Sequence, residues 1–546
     1  MEWKGKIPWA PFAGAVVWAA GFFQETPPWL RPVLAVVGAA LWMRWVSQID
    51  SAGRAGWVGW AAGTLFYVPV LVWLPGTVVT YSTMPRPVAW LLILLLDAYL
   101  GAYWGLWAWS VVGLRRYPWG IRAWPWAGAL LWVGLSQVRS TVLTGFPWGQ
   151  IETLLVEWSW VVQWGDLLGG FAIGGWLLLA GWALMQMAHG VGRVALGGLG
   201  GSRLRFAIRH LLSAILLTVL LWFFPWAYGR WARGYWQAQA ARTETLSVRI
   251  IQPSIPQDLK MTASHALDWF RRQIDLSYLN EPGQVQLVVW PEGSVPFYLG
   301  PDTVWWSLLQ DLQRHNRAYL LLGADRWARR SPPVVHNSVF LLDPELRVVD
   351  FYDKVHLVPF GEYVPLASVL FFVDRMVQGI GDFTPGVRLK PIESPWGPLG
   401  VQVCFESIFP DLSRRLVRAG ARLLITVTND AWFGWSSGAF QHLLHTRLRV
   451  IETRRALLFV ANSGISARLD PDGTLRWKTP LWADTAVDDD RVPLMPGGLT
   501  VWVRWGWAIN TVSWVVTLSL LGLAGWPSRH VRQESQGPAG IDTTRL

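Results

Sequence analysis

The chain has 546 residues, of which 52% are hydrophobic and only 15% charged, with 42 tryptophans and a formal net charge of +11. A soluble globule could not hide that much apolar surface, and disordered chains are poor in aromatics and rich in charge, so both classes are excluded. The single cysteine, Cys404, excludes a disulfide scaffold and any multi-cysteine metal centre. The basic excess lies between long apolar runs rather than along one helix face, with 15 Lys and Arg against 7 Asp and Glu in residues 1–230. That pattern reads as membrane topology and lipid-headgroup contact, with no nucleic-acid partner. The tryptophans suit the water–lipid boundary.

Apolar runs long enough for membrane helices are predicted at 7–23, 28–47, 57–80, 87–113, 123–137, 159–188 and 208–228, with one more at 499–525. Lys4 and Lys6 before the first run mimic a signal peptide, but a second run follows at once, so the first is read as an uncleaved helix. With the N-terminus inside, the inner loops carry Arg54, then Arg115, Arg116 and Arg122, then Arg193, Arg203, Arg205 and Arg209. The outer loops carry Arg31, Arg86 and Arg139, so both termini are expected in the cytoplasm and the segment after Trp226 outside it. Asp97, within LLILLLDAYL, is read as a polar contact to a neighbouring helix.

From about Thr245 charge rises and strand-like runs alternate with helical ones. Strands are predicted at 247–255, 285–290, AYLLLGAD, SVFLLD, LRVVDFYD, 399–405, ARLLITVTND and LLFVAN. Helices are predicted at 265–279, TVWWSLLQDLQRH, DLSRRLVRAG and QHLLHTRLRVIETRRA. Such alternation implies a layered α/β domain, whose sites lie beyond strand C-terminal ends. The predicted organisation is a polytopic α-helical membrane domain over 1–230 and an α/β domain over 245–495. The last of about eight transmembrane helices follows at 499–525, and the polar tail 527–546 is expected to be an unstructured cytoplasmic end.

Three polar constellations sit at predicted strand ends: Glu292 in VVWPEGSVP, Lys354 with Glu362 in YDKVHLVPFGEYVP, and Cys404 in VQVCFESIFP. A thiol attacks a carbonyl only as thiolate; a carboxylate can take its proton, and a lysine can stabilise both the thiolate and the oxyanion formed later. The three residue types are chemically sufficient for acyl transfer, although each alone fits a solvated strand end or an inert buried cysteine equally well.

Trp290-Pro291-Glu292, YDKVHLVPFGEYVP, Cys404-Phe405-Glu406 and Asn429-Asp430-Ala431-Trp432-Phe433-Gly434, in this order, resemble the carbon–nitrogen hydrolase (nitrilase) superfamily. LVPFGEYVP, NDAWFG and the upstream VLTGFPWG (142–149), on a membrane arm, are similar to its apolipoprotein N-acyltransferase branch. The resemblance implies an αββα sandwich for the outer domain. It also implies Glu292 as general base, Lys354 as oxyanion stabiliser, Cys404 as nucleophile and Glu362 as a second essential glutamate. Glu406, Trp432 and Phe405 match supporting positions, and Asn337, Phe433 and Met261 positions that bind or gate substrate. Met261 stands where Trp is usual, Phe405 where Tyr is common and His356 where Asn is frequent.

By the same resemblance, the acyl donor is a phospholipid and the acceptor a diacylated apolipoprotein. Both lie in the outer leaflet of the cytoplasmic (inner) membrane, and a Cys404 thioester is the intermediate. No cofactor and no metal are expected. Residues 363–380 are unusually apolar and are read as a lipid-dipping arm. His442 and His445, three apart on a helix, lack a third ligand at metal spacing and are read as structural. Two alternatives stay open: a membrane-anchored amidase, disfavoured by seven preceding spans, and a non-enzymatic scaffold, disfavoured by an intact Glu292, Lys354 and Cys404.

Overall fold

The computed structural model describes residues 9–82, 84–195, 201–260, 263–296, 304–331, 333–363 and 383–526. Met261, the tail 527–546 and the apolar segment 363–380, apart from Tyr363, lie outside the described residues.

The first part is helical: α1 (Ala10–Ala20), α2 (Leu30–Gln48), α3 (Ala52–Val70), α4 (Leu74–Thr80), α5 (Arg86–Leu114) and α6 (Pro118–Arg139). Prolines in the first turn start α1, α4, α5 and α6, where the missing N–H would have no partner anyway. The run predicted at 57–80 is a bent pair, with α3 and α4 meeting at 54°. Pro69 removes a hydrogen bond in the last turn of α3, so the helix cannot continue straight. Helices α3 and α5 touch through glycines. A Cβ on Gly63 would lie 2.7 Å from Trp104, and one on Gly105 2.7 Å from the Gly56 carbonyl.

The run predicted at 159–188 is not one helix. It breaks into α7 (Ser159–Val162), α8 (Gly165–Leu168) and α9 (Gly170–Ala195). Gly169 has φ +84° with the Trp502 ring against its Cα, and the Gly170 N–H donates to Glu452 at 2.7 Å. The chain docks there on the second domain, which apolar content alone could not reveal. The next helix, α10 (Gly201–Ala240), outruns its predicted 208–228. At 1.5 Å per residue it is about 60 Å long, roughly twice the hydrocarbon thickness, and it carries the chain out to the second domain.

Among the described residues, five helices have the length and apolarity to cross a membrane, or six if the bent pair is one span. They are α2, α5, α9, α10 and the late helix Val501–Gly525. The tryptophans do more than mark a boundary. Trp18, Trp42 and Trp107 are fully buried and, with Trp104 and Trp132, form an edge-to-face cluster at the centre of the arm.

The second part opens with β1 (Thr245–Gln252), α11 (Gln257–Lys260), α12 (Ala266–Ser277), β2 (Leu287–Val289), α13 (Val304–Asn316), β3 (Tyr319–Arg330), β4 (Pro333–Leu342) and β5 (Val348–Asp353). It continues with β6 (Leu399–Val403), α14 (Pro410–Arg418), β7 (Leu423–Thr428), α15 (Gly438–Thr453), β8 (Leu457–Ala461), β9 (Ala467–Leu469), β10 (Leu475–Lys478), β11 (Thr485–Pro493) and α16 (Val501–Gly525). One sheet runs β11-β1-β2-β3-β4-β5 and the other β10-β9-β8-β7-β6. Alternation decides the layers. Val248, Leu287, Val289 and Leu321 meet Val401, Val403, Ile425 and Leu458 between the sheets. Their neighbours Val288, Leu320 and Leu322 pack under α12 and α13, while Leu424, Leu457 and Phe459 pack under α14 and α15. The result is an α/β/β/α sandwich.

Strands β9, β10 and β11 were not expected. TAVDDDRVP has no apolar alternation; its acids are paired with arginines, Asp488 with Arg249 of the neighbouring β1 at 2.6 Å and Asp489 with Arg468 of β9, in the other sheet, at 2.7 Å. Strand β6 stops one residue before Cys404, which begins a tight turn with φ +50°.

Candidate active site

Three strand ends converge. Glu292 follows β2 through Trp290-Pro291, and its carboxylate is almost fully buried. Its Oε1 accepts from Asn337 Nδ2 at 2.8 Å and its Oε2 from the Asn429 N–H, beyond β7, at 2.9 Å. The turn is admitted by Gly323 on the next strand, where a Cβ would come within 2.8 Å of the Gly293 nitrogen. Lys354 follows β5 and is 1% exposed. Its ammonium lies 2.9 Å from Glu362 and 3.5 Å from Glu292. Burial works against the charge, but Glu362, then Glu292, outweigh it and hold the pKa above the usual lysine value. Glu362 is fixed in turn by the Val358 N–H at 2.8 Å.

Asn337, on β4, ties the group together. Its amide nitrogen donates to Glu292 at 2.8 Å and to Glu362 at 2.9 Å, which uses both of its protons and sets the spacing of the two carboxylates around Lys354. Cys404 stands within electrostatic reach of both Glu292 and Lys354. Burial, then the Glu292 charge, pushes its thiol well above the ordinary value, while Lys354 opposes the rise. The thiol therefore rests protonated, with a carboxylate nearby that is able to receive its proton.

Glu406 is completely buried and its carboxylate is fully engaged: Oε1 accepts from the Tyr352 hydroxyl and from the Val355 and His356 N–H groups at 2.8–3.0 Å, and Oε2 accepts from the Val403 N–H at 2.8 Å. It binds the turn that carries Cys404 to the segment that carries Lys354. Burial raises its pKa to about 7 although these donors pull the other way.

The arm closes over this site. Phe146, in VLTGFPWG, packs on Phe405 with centroids 6.1 Å apart, and Tyr81 meets Trp432 edge-on at 4.5 Å. Thr77 donates to the Trp432 carbonyl at 2.7 Å, and Phe433 lies edge-on to Trp73 at 4.7 Å. Phe405, Phe409 and Leu444 belong to the same apolar cluster as Trp18 and Trp148 of the arm.

Two family models match the chain. "Apolipoprotein N-acyltransferase N-terminal domain" covers residues 13–183, and "Carbon-nitrogen hydrolase" covers residues 247–490. The apolipoprotein N-acyltransferase of Geobacter metallireducens is 33% identical over 82% of this chain and 84% of its own. That of Gloeobacter violaceus is 32% identical over 86% and 85%. The chain belongs to the apolipoprotein N-acyltransferase family. That of Agrobacterium fabrum, at 33% over 77% of this chain and 76% of its own, agrees.

In this apolipoprotein N-acyltransferase family member, Glu292, Lys354, Glu362 and Asn337 form one hydrogen-bonded group beside Cys404. Phe405, Trp432 and Phe433 stand instead where the arm meets the sandwich, and Glu406 lies beneath the turn. His356 packs at a tilt against Phe409, centroids 4.1 Å apart, and, with its pKa drawn down by burial to about 4, is neutral.

His442 and His445 do not share a site. His445 accepts from the Gly149 N–H at 2.9 Å, toward the arm, and burial drops its pKa to about 3. His442 turns toward Asp430 and the turn of Cys404, and donor atoms of these three residues lie within 4.8 Å of one another. Sequence spacing missed this third group because it comes from other strands. Both ring nitrogens of His442 already face acceptors, Asp430 and the Cys404 carbonyl, so the set is a hydrogen-bonded network rather than an open set of metal ligands. Lys260 was also missed. Its ammonium donates to the Glu292 carbonyl at 3.1 Å, and burial, against the pull of Glu292, lowers its pKa to about 8. A solitary lysine at a helix end gives no sequence signal of that kind.

Proposed function

We propose that the enzyme transfers a fatty acyl chain from a phospholipid to the α-amino group of the N-terminal S-diacylglyceryl-cysteine of an apolipoprotein, through a thioester on Cys404. The observation that carries this reading is the Asn337-bridged group of Glu292, Lys354 and Glu362 beside the turn of Cys404, under an apolar arm. Glu292 takes the thiol proton as the sulfur attacks the ester carbonyl. The Lys354 ammonium stabilises the oxyanion. Collapse breaks the ester bond, and Glu292 returns its proton to the departing lysophospholipid oxygen, leaving the thioester. The acceptor amine then attacks, Glu292 takes one of its protons, and collapse of the second intermediate frees the sulfur, which recovers the proton. Apolar walls that exclude water favour the amine over hydrolysis.

Membrane placement extends the same reading. Taking α1 and α6 as spans beside the six counted with the bent pair makes eight, and with that count the arginine bias supports residues 245–495 on the outer face of the inner membrane and both termini in the cytoplasm. The domain limits are 1–230 for the membrane part and 245–495 for the catalytic part, followed by the final span 499–525 and the tail 527–546. Both lipid substrates would then reach the site from one leaflet.

The test is to incubate purified enzyme with phospholipid and no acceptor, then examine the peptide carrying Cys404 by mass spectrometry. One fatty-acyl addition, removable by neutral hydroxylamine and discharged by a diacylated lipopeptide, is expected. Absence of the adduct, together with acyl transfer by Cys404→Ala, overturns the mechanism; release of free fatty acid without lipopeptide acylation makes the protein a hydrolase.

A further inference from the structure

One proton of the transfer reaction lacks a receiver. An α-amino group has a pKa near 8, so the acceptor arrives mostly as an ammonium at pH 7, whereas only the neutral amine attacks a thioester. Glu292 is needed for the proton released during that attack, so another base must take the first one.

Asp325 lies on β3, and alternation puts it on the face of Leu321, which packs between the sheets. Gly323, also on that face, lies under the turn of Glu292, where a Cβ would come within 3.0 Å of the Glu292 Cα. Directly opposite Asp325 on β4 is Asn337, which bridges Glu292 and Glu362. Opposed residues of an antiparallel pair carry their Cβ atoms about 5 Å apart, so Asp325 stands one side chain from the reacting group. It is exposed, and among the described residues its carboxylate has no hydrogen-bond or ion-pair partner. Asn337 cannot serve, because both of its amide protons are spent. The Lys354 ammonium is committed to Glu362 and Glu292, and that of Lys260 donates to the Glu292 carbonyl. Arg326, the next residue, turns to the opposite face and pairs with Asp353 at 2.6 Å. Loss of water around Asp325, then the charges of Glu292 and Glu362, raise its pKa to about 6. A cation is what this carboxylate lacks, and the reaction brings one.

We infer that Asp325 receives the α-ammonium of the acceptor, takes one of its protons and so releases the free amine to the Cys404 thioester. The N–H bond of the ammonium breaks, the carboxylate becomes a carboxylic acid, and the nitrogen lone pair attacks the thioester carbonyl while Glu292 takes the second proton. Asp325 then loses its proton to water, to which it is open. Proton transfer from an ammonium of pKa near 8 is about 10⁴-fold uphill to an ordinary aspartate and about 10²-fold to one at about 6.

This inference rests on the Cys404 thioester of the proposed reaction, and the two are read separately. Full-length enzyme in detergent is first loaded from phospholipid, and the adduct is then discharged with a diacylated lipopeptide between pH 6 and 9. With Asp325 in place, discharge should stay level from pH 8 down to about 6, where the carboxylate protonates. With Asp325→Asn it should fall about tenfold for each unit below pH 8, because the variant must wait for amine that is already neutral. Discharge by hydroxylamine, which is uncharged at neutral pH, should show no such divergence between the two proteins. Parallel profiles with lipopeptide, including a uniform slowing of the kind a structural aspartate would give, overturn the inference. Should Asp325→Asn not fold, the unsubstituted enzyme decides, since a tenfold fall per unit beginning at pH 8 overturns the inference equally. Failure of the unsubstituted enzyme to load overturns the thioester mechanism, and this inference with it.

Discussion

Replacing Glu362 by Gln removes one of the two anions that hold Lys354 and leaves the shape of the side chain. At 2.9 Å and an effective dielectric of about 20, the lost attraction is about 6 kcal/mol before desolvation is counted. Gln cannot substitute, since the oxygen facing the Val358 N–H must stay an acceptor and the other position would then present an NH₂ to two donors, Lys354 and Asn337. The ammonium should relax toward Glu292, at present 3.5 Å away, and the tighter pair weakens the base while pulling the cation from the place where the oxyanion forms. Turnover should fall by about 10²-fold, the range of general acid–base assistance, with little change in KM for phospholipid because no lipid contact is lost. Glu362→Asp keeps the charge one methylene short and should retain more activity than Gln. The assay is acylation of a diacylated lipopeptide from phospholipid vesicles by purified, folded variants. A kcat within about twofold of the unsubstituted enzyme would reduce Glu362 to a bystander and refute the two-anion account of Lys354.

Burial raises the Glu406 pKa to about 7 from an ordinary 4.5, so folding favours its protonated form. Its contribution is most favourable below about pH 4.5 and is lost as pH rises through about 7, at up to about 1.4 kcal/mol per pH unit. The thermal midpoint of Glu406→Gln should therefore depend less on pH between 5 and 7 than that of the unsubstituted protein, and parallel curves would contradict this. The same variant turns an NH₂ on a backbone N–H, or loses the Val403 bond, and should transfer acyl chains more slowly. Gln441 accepts from the Trp73 and Trp148 indoles at 3.2 and 2.7 Å and donates to the Phe22 and Val70 carbonyls at 3.2 and 3.1 Å. Gln441→Leu strands four buried groups at about 1–3 kcal/mol each, so melting in detergent should fall by several degrees and proteolysis between arm and sandwich should rise; unchanged melting would show the bonds to be dispensable. Reporter fusions after Arg230 and at the C-terminus should report opposite sides of the membrane, and a cytoplasmic signal from the first would reverse the topology.

The sequence by itself determined what local pattern can encode. Apolar runs announced the helical arm because a bilayer demands length and apolarity within one segment, and α2, α5 and α16 fall where those runs lie. Glu292, Lys354 and Cys404 were legible because each follows a short apolar strand and sits in a distinctive string. The tertiary structure decided whatever depends on partners far apart in the chain. Residues 159–169 look apolar enough for lipid, yet the Gly170 N–H meets Glu452, 282 positions away, and the span breaks. The charged β11 reads as loop until Arg249, 239 positions away, pairs with Asp488. Glu292 finds the Asn429 N–H 137 positions on, and Asn337 bridges two carboxylates from different loops. His442 gains its place only because β6 and β7 lie side by side in parallel. Burial and the hydrogen bonds that must accompany it are properties of the folded interior, and no window of neighbouring residues contains them.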